Sequence, residues 1–215
     1  MTRCGVGSSR SIAGVTSFEA ITRHEDAEPD ENIWVVEPSP STPIAIVAAD
    51  PEWSAAYERL AGRIRAALGA HVLELQHIGS TSVAGLAAKP VIDIDLTVAD
   101  SRDEAAYVGA LESIGYELRI REPAWHEHRC LMLDEPRSNL HVWSPNSPEA
   151  IRHRMFRDWL RDHPDDVEHY ADAKQRAAAE TNSSERDVMA YNLRKQPVIR
   201  DILDRLFRAN GMLDN

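Results

Sequence analysis

Apolar residues recur every three or four positions from Trp53 through Tyr57, Leu60 and Ile64 to Leu68, the spacing that lines one face of a helix. Asp50-Pro51-Glu52 ahead of them offers a cap, a proline at the first helical position and an acid in the first turn. Gly69 stops the run. From residue 91 the period changes to two: Ile92, Ile94, Leu96 and Val98 face one way, and Val91, Asp93, Asp95 and Thr97 the other. The pattern predicts further strands over 44–48, 72–78, 116–121, 129–133 and 140–143. Ser101-Arg102-Asp103-Glu104 has the form of a capping box, predicting a helix through Val108, Leu111 and Ile114 to Gly115. The remainder is helical. Ser147-Pro148-Glu149 opens one helix, carrying Phe156, Trp159 and Leu160, and Pro164 opens another, with Tyr170 and Lys174 four residues apart. Ser184 opens a third, which Pro197 is expected to kink or split. No internal repeat interrupts this order.

The elements imply an α+β fold, a mixed sheet flanked by helices with a helical C-terminal part. The folded domain spans 44–210, with a sheet core over 44–146 and helices over 147–210. Residues 1–43 differ: scattered Gly and Ser, acids from Glu25 to Glu31, then Pro38-Ser39-Pro40-Ser41-Thr42-Pro43. They read as an extension or linker, partly flexible, with little core of its own. Within it, Ile33-Trp34-Val35-Val36 suits a short edge strand or docking segment. Gly5-Val6-Gly7-Ser8-Ser9 faintly resembles a phosphate loop, but no strand precedes it.

The chain has 215 residues, 43% hydrophobic and 27% charged, as in an ordinary soluble domain. Its net charge of -11 argues against a general nucleic-acid binder and against anionic membranes, while leaving room for a local basic pocket. Cys4 and Cys130 lie far apart, in no metal spacing, so a reducing cytoplasm fits better than a disulfide framework. No apolar run approaches the roughly 20 residues of a membrane span, and Gly, Ser and Arg interrupt any N-terminal signal core.

The chemistry concentrates between His77 and Leu96. Gly79 permits close backbone approach, and Ser80, Thr81 and Ser82 offer hydroxyls and N–H groups suited to phosphate, or simply a polar turn. Asp93 and Asp95 put two like charges on one strand face, which favours solvent or a cation. Magnesium suits carboxylates together with substrate phosphates, and two ions about 4 Å apart can clamp a phosphoryl displacement.

The order strand, Gly-Ser, twelve residues from Thr81 to Ile92, then Asp-x-Asp resembles the polymerase-beta-type nucleotidyltransferase superfamily. The longer stretch from His77-Ile78-Gly79-Ser80-Thr81-Ser82 through Lys89-Pro90-Val91-Ile92-Asp93-Ile94-Asp95 resembles its GrpB family. So do Asp50-Pro51-Glu52-Trp53, Ile114-Gly115-Tyr116, Leu140-His141-Val142 and Phe156-Arg157-Asp158-Trp159-Leu160-Arg161. The resemblance covers about residues 44 to 208. It implies a mixed sheet with helices and nucleotidyl transfer through bound magnesium (or manganese). A nucleoside triphosphate is the implied substrate, with Gly79 and Ser80 on its phosphates and Asp93 and Asp95 on the metal. It supplies neither nucleotide nor acceptor; a small-molecule acceptor fits a chain without an extended basic surface. A nucleotide- or metabolite-binding module without catalysis is the alternative.

This chain departs from the family at Ala84, where proline is common, and at the third acid that superfamily enzymes place on a later strand. The Leu140-His141-Val142-Trp143 strand has none. His141 stands there as a base or as a hydrogen-bonded core residue, and Asp134 is a spare carboxylate. Around the loop, His77 touches phosphate or braces it. Lys89 neutralises phosphate or caps the loop. Arg157, Arg161 and Lys174 supply positive charge or occupy solvated helix faces. Trp125-His126-Glu127-His128-Arg129 has a metal-like look but no further ligand at fixed spacing.

Overall fold

The computed structural model describes residues 16–25, 32–36, 43–184 and 188–214. Cys4, the Gly5-Val6-Gly7-Ser8-Ser9 stretch and most of the acidic and proline-rich segments lie outside them. Helix α1 (Phe18–Thr22) comes first, and α2 (Glu52–Leu68) buries Trp53, Tyr57, Leu60, Ile64 and Leu68 as the periodicity predicts. Asp50 Oδ1 accepts the Glu52 N–H at 2.9 Å, and Gly69 ends the helix.

Five strands form one sheet: β1 (Glu74–Ile78), β2 (Ile92–Thr97), β3 (Glu117–Glu122), β4 (His128–Asp134) and β5 (Arg137–Trp143). Their order is β1-β2-β5-β4-β3, with β2 and β5 parallel and all other neighbours antiparallel. One face carries the core. Ile92, Ile94 and Leu96 of β2, Leu131 of β4, and Leu140 and Val142 of β5 pack with Leu60 and Ile64 of α2 and Leu111 of α3 (Val108–Glu112). The opposite face is polar, and α4 (Pro148–Asp162), α5 (Pro164–Ser184) and α6 (Val188–Ala209) gather beside it. Val83 and Leu86, just beyond β1, pack with Leu160, Tyr170 and Ile202, which pins the post-β1 loop to all three helices.

Four local expectations need correction. Residues 44–48 form no strand: Val47 makes one bridge, to Ala88, and no continuous partner strand lies alongside to extend it. The capping box does not form either. Ser101 is fully buried and donates its hydroxyl to the Glu127 carbonyl at 2.8 Å. Glu104 turns away to Arg121 and Arg129. With both cap residues engaged elsewhere, only a turn at Glu104–Ala106 and the short α3 remain. Finally, Ser184 closes α5 and does not open the last helix, and α6 continues through Pro197. Pro197 and Leu193, whose carbonyl loses its N–H partner there, are both exposed, so water can satisfy that group.

Residues 32–36 lie along the sheet edge, where Trp34 bridges Ile120 and Val35 N–H donates to Arg119 O at 2.9 Å. Among the described residues, no helix is long and apolar enough to cross a membrane. Ser147 caps α4, its side chain accepting the Ala150 N–H. Ser147→Ala is expected to cost about 1 kcal/mol in urea denaturation; an unchanged midpoint would show that the cap contributes nothing.

Candidate active site

The loop after β1 is built against the acidic strand. Gly79 has φ 69° and ψ −172°, and a Cβ placed on it would lie 2.5 Å from Asp93 Oδ2. Backbone and carboxylate therefore meet with no side chain between them. Ser80–Ser82 then form a tight turn. The Thr81 and Ser82 hydroxyls point into the protein. Thr81 Oγ1 lies 3.0 Å from His77 Nε2 and donates to Val91 O at 3.4 Å, while Ser82 Oγ donates to Gly79 O at 2.6 Å. His77 stacks on Tyr57 at 4.6 Å. Burial, aided by Arg161 and Arg157, lowers its pKa to about 4, so a neutral ring braces the loop from behind.

The C-terminal helices bring positive charge to this loop. Arg157 donates to His77 O at 2.9 Å, Arg161 to Ser82 O at 2.8 Å, and Lys174 to Ser80 Oγ at 3.0 Å and to Ala87 O. Lys174 is buried, so the solvated-face reading fails for it. Burial, with Lys195 nearby, pulls its pKa to about 7. Lys89 falls to about 8 through burial and Lys195, against the pull of Asp93. Lys89 and Lys195 both approach the Tyr191 ring, at 5.1 and 4.9 Å. Tyr191 and Lys195 escaped the sequence reading, although their four-residue spacing repeats that of Tyr170 and Lys174.

The two aspartates differ. Asp93 Oδ1 accepts from Asn139 Nδ2 at 2.9 Å, and its Oδ2 has no hydrogen-bond partner among the described residues. Asp95 is 4% exposed and accepts from Trp143 Nε1 at 2.8 Å and from His153 Nδ1 at 3.0 Å. Burial works against its charge, yet His153, with lesser help from His141 and Trp143, holds its pKa below the ordinary carboxylate value. The reciprocal holds for His153: burial disfavours the imidazolium, but Asp95 and then Glu149 raise its pKa to about 9. Each partner thus favours the charged form of the other.

Strand register sets Asn139 beside Asp93 and His141 beside Asp95, so the strand expected to carry a third acid carries an amide and an imidazole. Asp134 sits at the exposed end of β4, opposite Arg137. His141 Nδ1 is 3.0 Å from His128 Nε2, and His128 Nδ1 is 2.6 Å from Glu122 Oε2. Burial lowers the pKa of His128 to about 3 and of His141 to about 4. The His126–His128 pair separates, because His126 and Glu127 adopt positive φ. His126 meets Glu25 at 3.4 Å, while His128 turns inward. No group of three or more His, Cys, Asp or Glu among the described residues could hold a metal ion.

Magnesium prefers oxygen ligands and retains waters or substrate oxygens. Asp93 Oδ2 faces the loop and would give such an ion one carboxylate oxygen, the others coming from water or substrate phosphate. Asp95 is engaged by Trp143 and His153, and Asn139 brings no charge.

A family model described as GrpB protein matches residues 43–205. A UPF0157 protein of Halalkalibacterium halodurans is 44% identical over 162 residues, 75% of this chain and 82% of the relative. One from Pseudomonas aeruginosa is 36% identical over 169 residues, 77% and 69% of the two chains. A dephospho-CoA kinase of Mycolicibacterium paratuberculosis is 30% identical over 189 residues, which is 76% of this chain but 46% of the kinase. The crystal structure of conserved protein GrpB from Enterococcus faecalis superposes with a TM-score of 0.64 at 27% identity, covering 75% of this chain and 98% of the other.

Proposed function

The chain belongs to the GrpB family, and from that membership we propose that it transfers a nucleoside monophosphate from a nucleoside triphosphate to a small-molecule acceptor. The observation that carries this reading is the meeting of Gly79 with Asp93 beside Ser80, with Lys174 on the Ser80 hydroxyl and Lys89 and Lys195 at the nearby Tyr191 ring, in a chain of net charge -11. Cations gathered at one point of an acidic protein suit a polyanion.

In this reading Gly79 and Ser80 receive the phosphates, and Lys89 and Lys195 balance their charge. A magnesium ion on Asp93, when bound with the nucleotide, neutralises phosphate charge. His141 takes the proton of the attacking hydroxyl. The helices beyond Ser147 wall the acceptor side. A cytoplasmic location accompanies the reading, Cys130 being a free thiol.

One observation favours a second reading, a nucleotide-binding module without catalysis: Asp95 is neutralised by His153, and Asn139 stands beside Asp93 where a carboxylate would serve chemistry. Calorimetry with the four ribonucleoside triphosphates and magnesium, then pyrophosphate release across hydroxylated acceptors, separates the two. Release that disappears in Asp93→Asn with unchanged circular dichroism supports transfer. Binding without release under every acceptor supports the module. Full turnover by Asp93→Asn removes Asp93 from the reaction.

A further inference from the structure

Three side chains form a hydrogen-bonded line that ends beside Asp95. Glu122 Oε2 lies 2.6 Å from His128 Nδ1, and His128 Nε2 lies 3.0 Å from His141 Nδ1. Strand pairing sets the line: Glu122 is opposite His128 across β3 and β4, and His141 is beside Asp95 across β5 and β2. The His128 ring is clamped, stacked on Trp143 at 4.3 Å and meeting Trp125 edge-on at 5.3 Å. His141 is half-buried, and its Nε2 makes no hydrogen bond among the described residues.

A neutral imidazole has one N–H and one lone pair, so the tautomers along the line are coupled. When Glu122 is ionised it accepts from His128 Nδ1–H. His128 Nε2 then accepts from His141 Nδ1–H, and His141 Nε2 is left with a lone pair. When Glu122 is protonated, every donor reverses and His141 Nε2 carries the hydrogen. Neither state charges a histidine, which burial opposes at both rings. Burial also raises the pKa of Glu122, so the carboxyl end is the better resting place for a proton.

We infer that Glu122, His128 and His141 are a proton relay, in which His141 Nε2 accepts the proton of the acceptor hydroxyl and Glu122 finally holds it. The relay rests on the nucleotidyl-transfer reading. As the acceptor oxygen bonds to the α-phosphorus, the bond from that phosphorus to the bridging oxygen breaks, and pyrophosphate leaves with the electron pair. The hydroxyl proton passes to His141 Nε2. The proton on His141 Nδ1 passes to His128 Nε2, and that on His128 Nδ1 to Glu122 Oε2. Three protons move one step each, and no imidazolium remains. Glu122 and His128 touch no substrate and are positioning residues; His141 is the catalytic one. The line also answers how a ring with so low a basicity serves as base, since the proton does not stay on it.

The test is nitrogen-15 NMR of the histidine side chains in the full-length chain at neutral pH, with resonances assigned by single histidine substitutions. Wild type is expected to hold both His128 and His141 as Nδ1–H tautomers. Glu122→Leu removes the acceptor and is expected to shift His141 toward the Nε2–H tautomer. A wild-type His141 already protonated on Nε2, or a Glu122→Leu spectrum identical to wild type, overturns the relay. If Glu122→Leu does not fold, the wild-type spectrum decides. Glu122→Gln still accepts a hydrogen bond but takes up no proton, so kcat should fall about a hundredfold with KM unchanged; an unchanged kcat overturns the role of Glu122 as proton acceptor. Expected tautomers with no turnover in wild type overturn the transfer reading while upholding the hydrogen-bonded line, so the two failures are distinguishable.

Discussion

Replacing His153 by alanine is expected to destabilise the fold by about 3 kcal/mol at pH 7, the lower end of the cost of breaking a buried ion pair, because the His153 side chain is itself 27% exposed. Asp95 is 4% exposed and would keep only the Trp143 Nε1 hydrogen bond. The contrast is with pairs such as Arg205–Asp201, whose side chains are 40% and 59% exposed and which contribute at most about 1 kcal/mol. The pH dependence follows from both partners. The pKa of His153 is raised from 6.5 to about 9, so its stabilisation is complete below 6.5 and disappears as pH rises through about 9. Asp95 is shifted the other way, so its stabilisation is present above its ordinary 3.8 and disappears as pH falls through its depressed value. The gap between wild type and His153→Ala should therefore be widest between roughly pH 4 and 6.5 and close on either side. Urea denaturation across that range measures it, and a double-mutant cycle with Asp95→Asn isolates the pair. A gap below about 1 kcal/mol at pH 7, or one that does not vary with pH, would mean that the pair contributes little.

That pair also marks what the sequence could and could not disclose. β2 was legible because its two faces differ in polarity at every step, and α2 because its apolar stripe is unbroken between a start signal and Gly69. The loop and both acids lie within one local stretch, so their proximity needed no knowledge of topology. Asn139, Trp143, His153 and Lys195 reach the same place from β5, α4 and α6. Only the parallel β2–β5 register and the packing of three helices on the loop bring them in. Nothing local to His153, on a polar helix turn, signals a buried aspartate 58 positions away. The capping box failed for a related reason: Ser101 and Glu104 have the right local spacing, but tertiary partners compete for both side chains and win. Thr81 and Ser82 were legible as part of a loop, though not in their inward orientation, which depends on His77 and the carbonyl of Gly79.

Gly79→Ala should damage stability and binding together, and its effect is the most local of those expected here. At φ 69° and ψ −172° the backbone is in a region that glycine alone occupies readily, and a side chain there costs about 1–3 kcal/mol. A second penalty adds to this. The new methyl would meet Asp93 Oδ2 at 2.5 Å, Asp93 Cβ at 3.0 Å and Asp93 Cγ at 3.1 Å. Rotating the carboxylate relieves only the first contact and breaks the 2.9 Å hydrogen bond from Asn139; the other two require the loop to move off β2. The loop is not free to move, because Arg157, Arg161 and Lys174 hold its carbonyls and Ser80. The expected result is a loss of about 2–4 kcal/mol in urea denaturation and at least a tenfold weaker affinity for magnesium triphosphate by calorimetry. Gly85→Ala separates strain from collision. Gly85 lies in the same connection with φ 80°, yet an added Cβ there meets nothing within 4 Å. It should lose stability through strain alone and keep triphosphate affinity at the wild-type level. If both variants bind triphosphate as wild type does, the close approach of Gly79 to Asp93 is a packing feature and not part of a phosphate site.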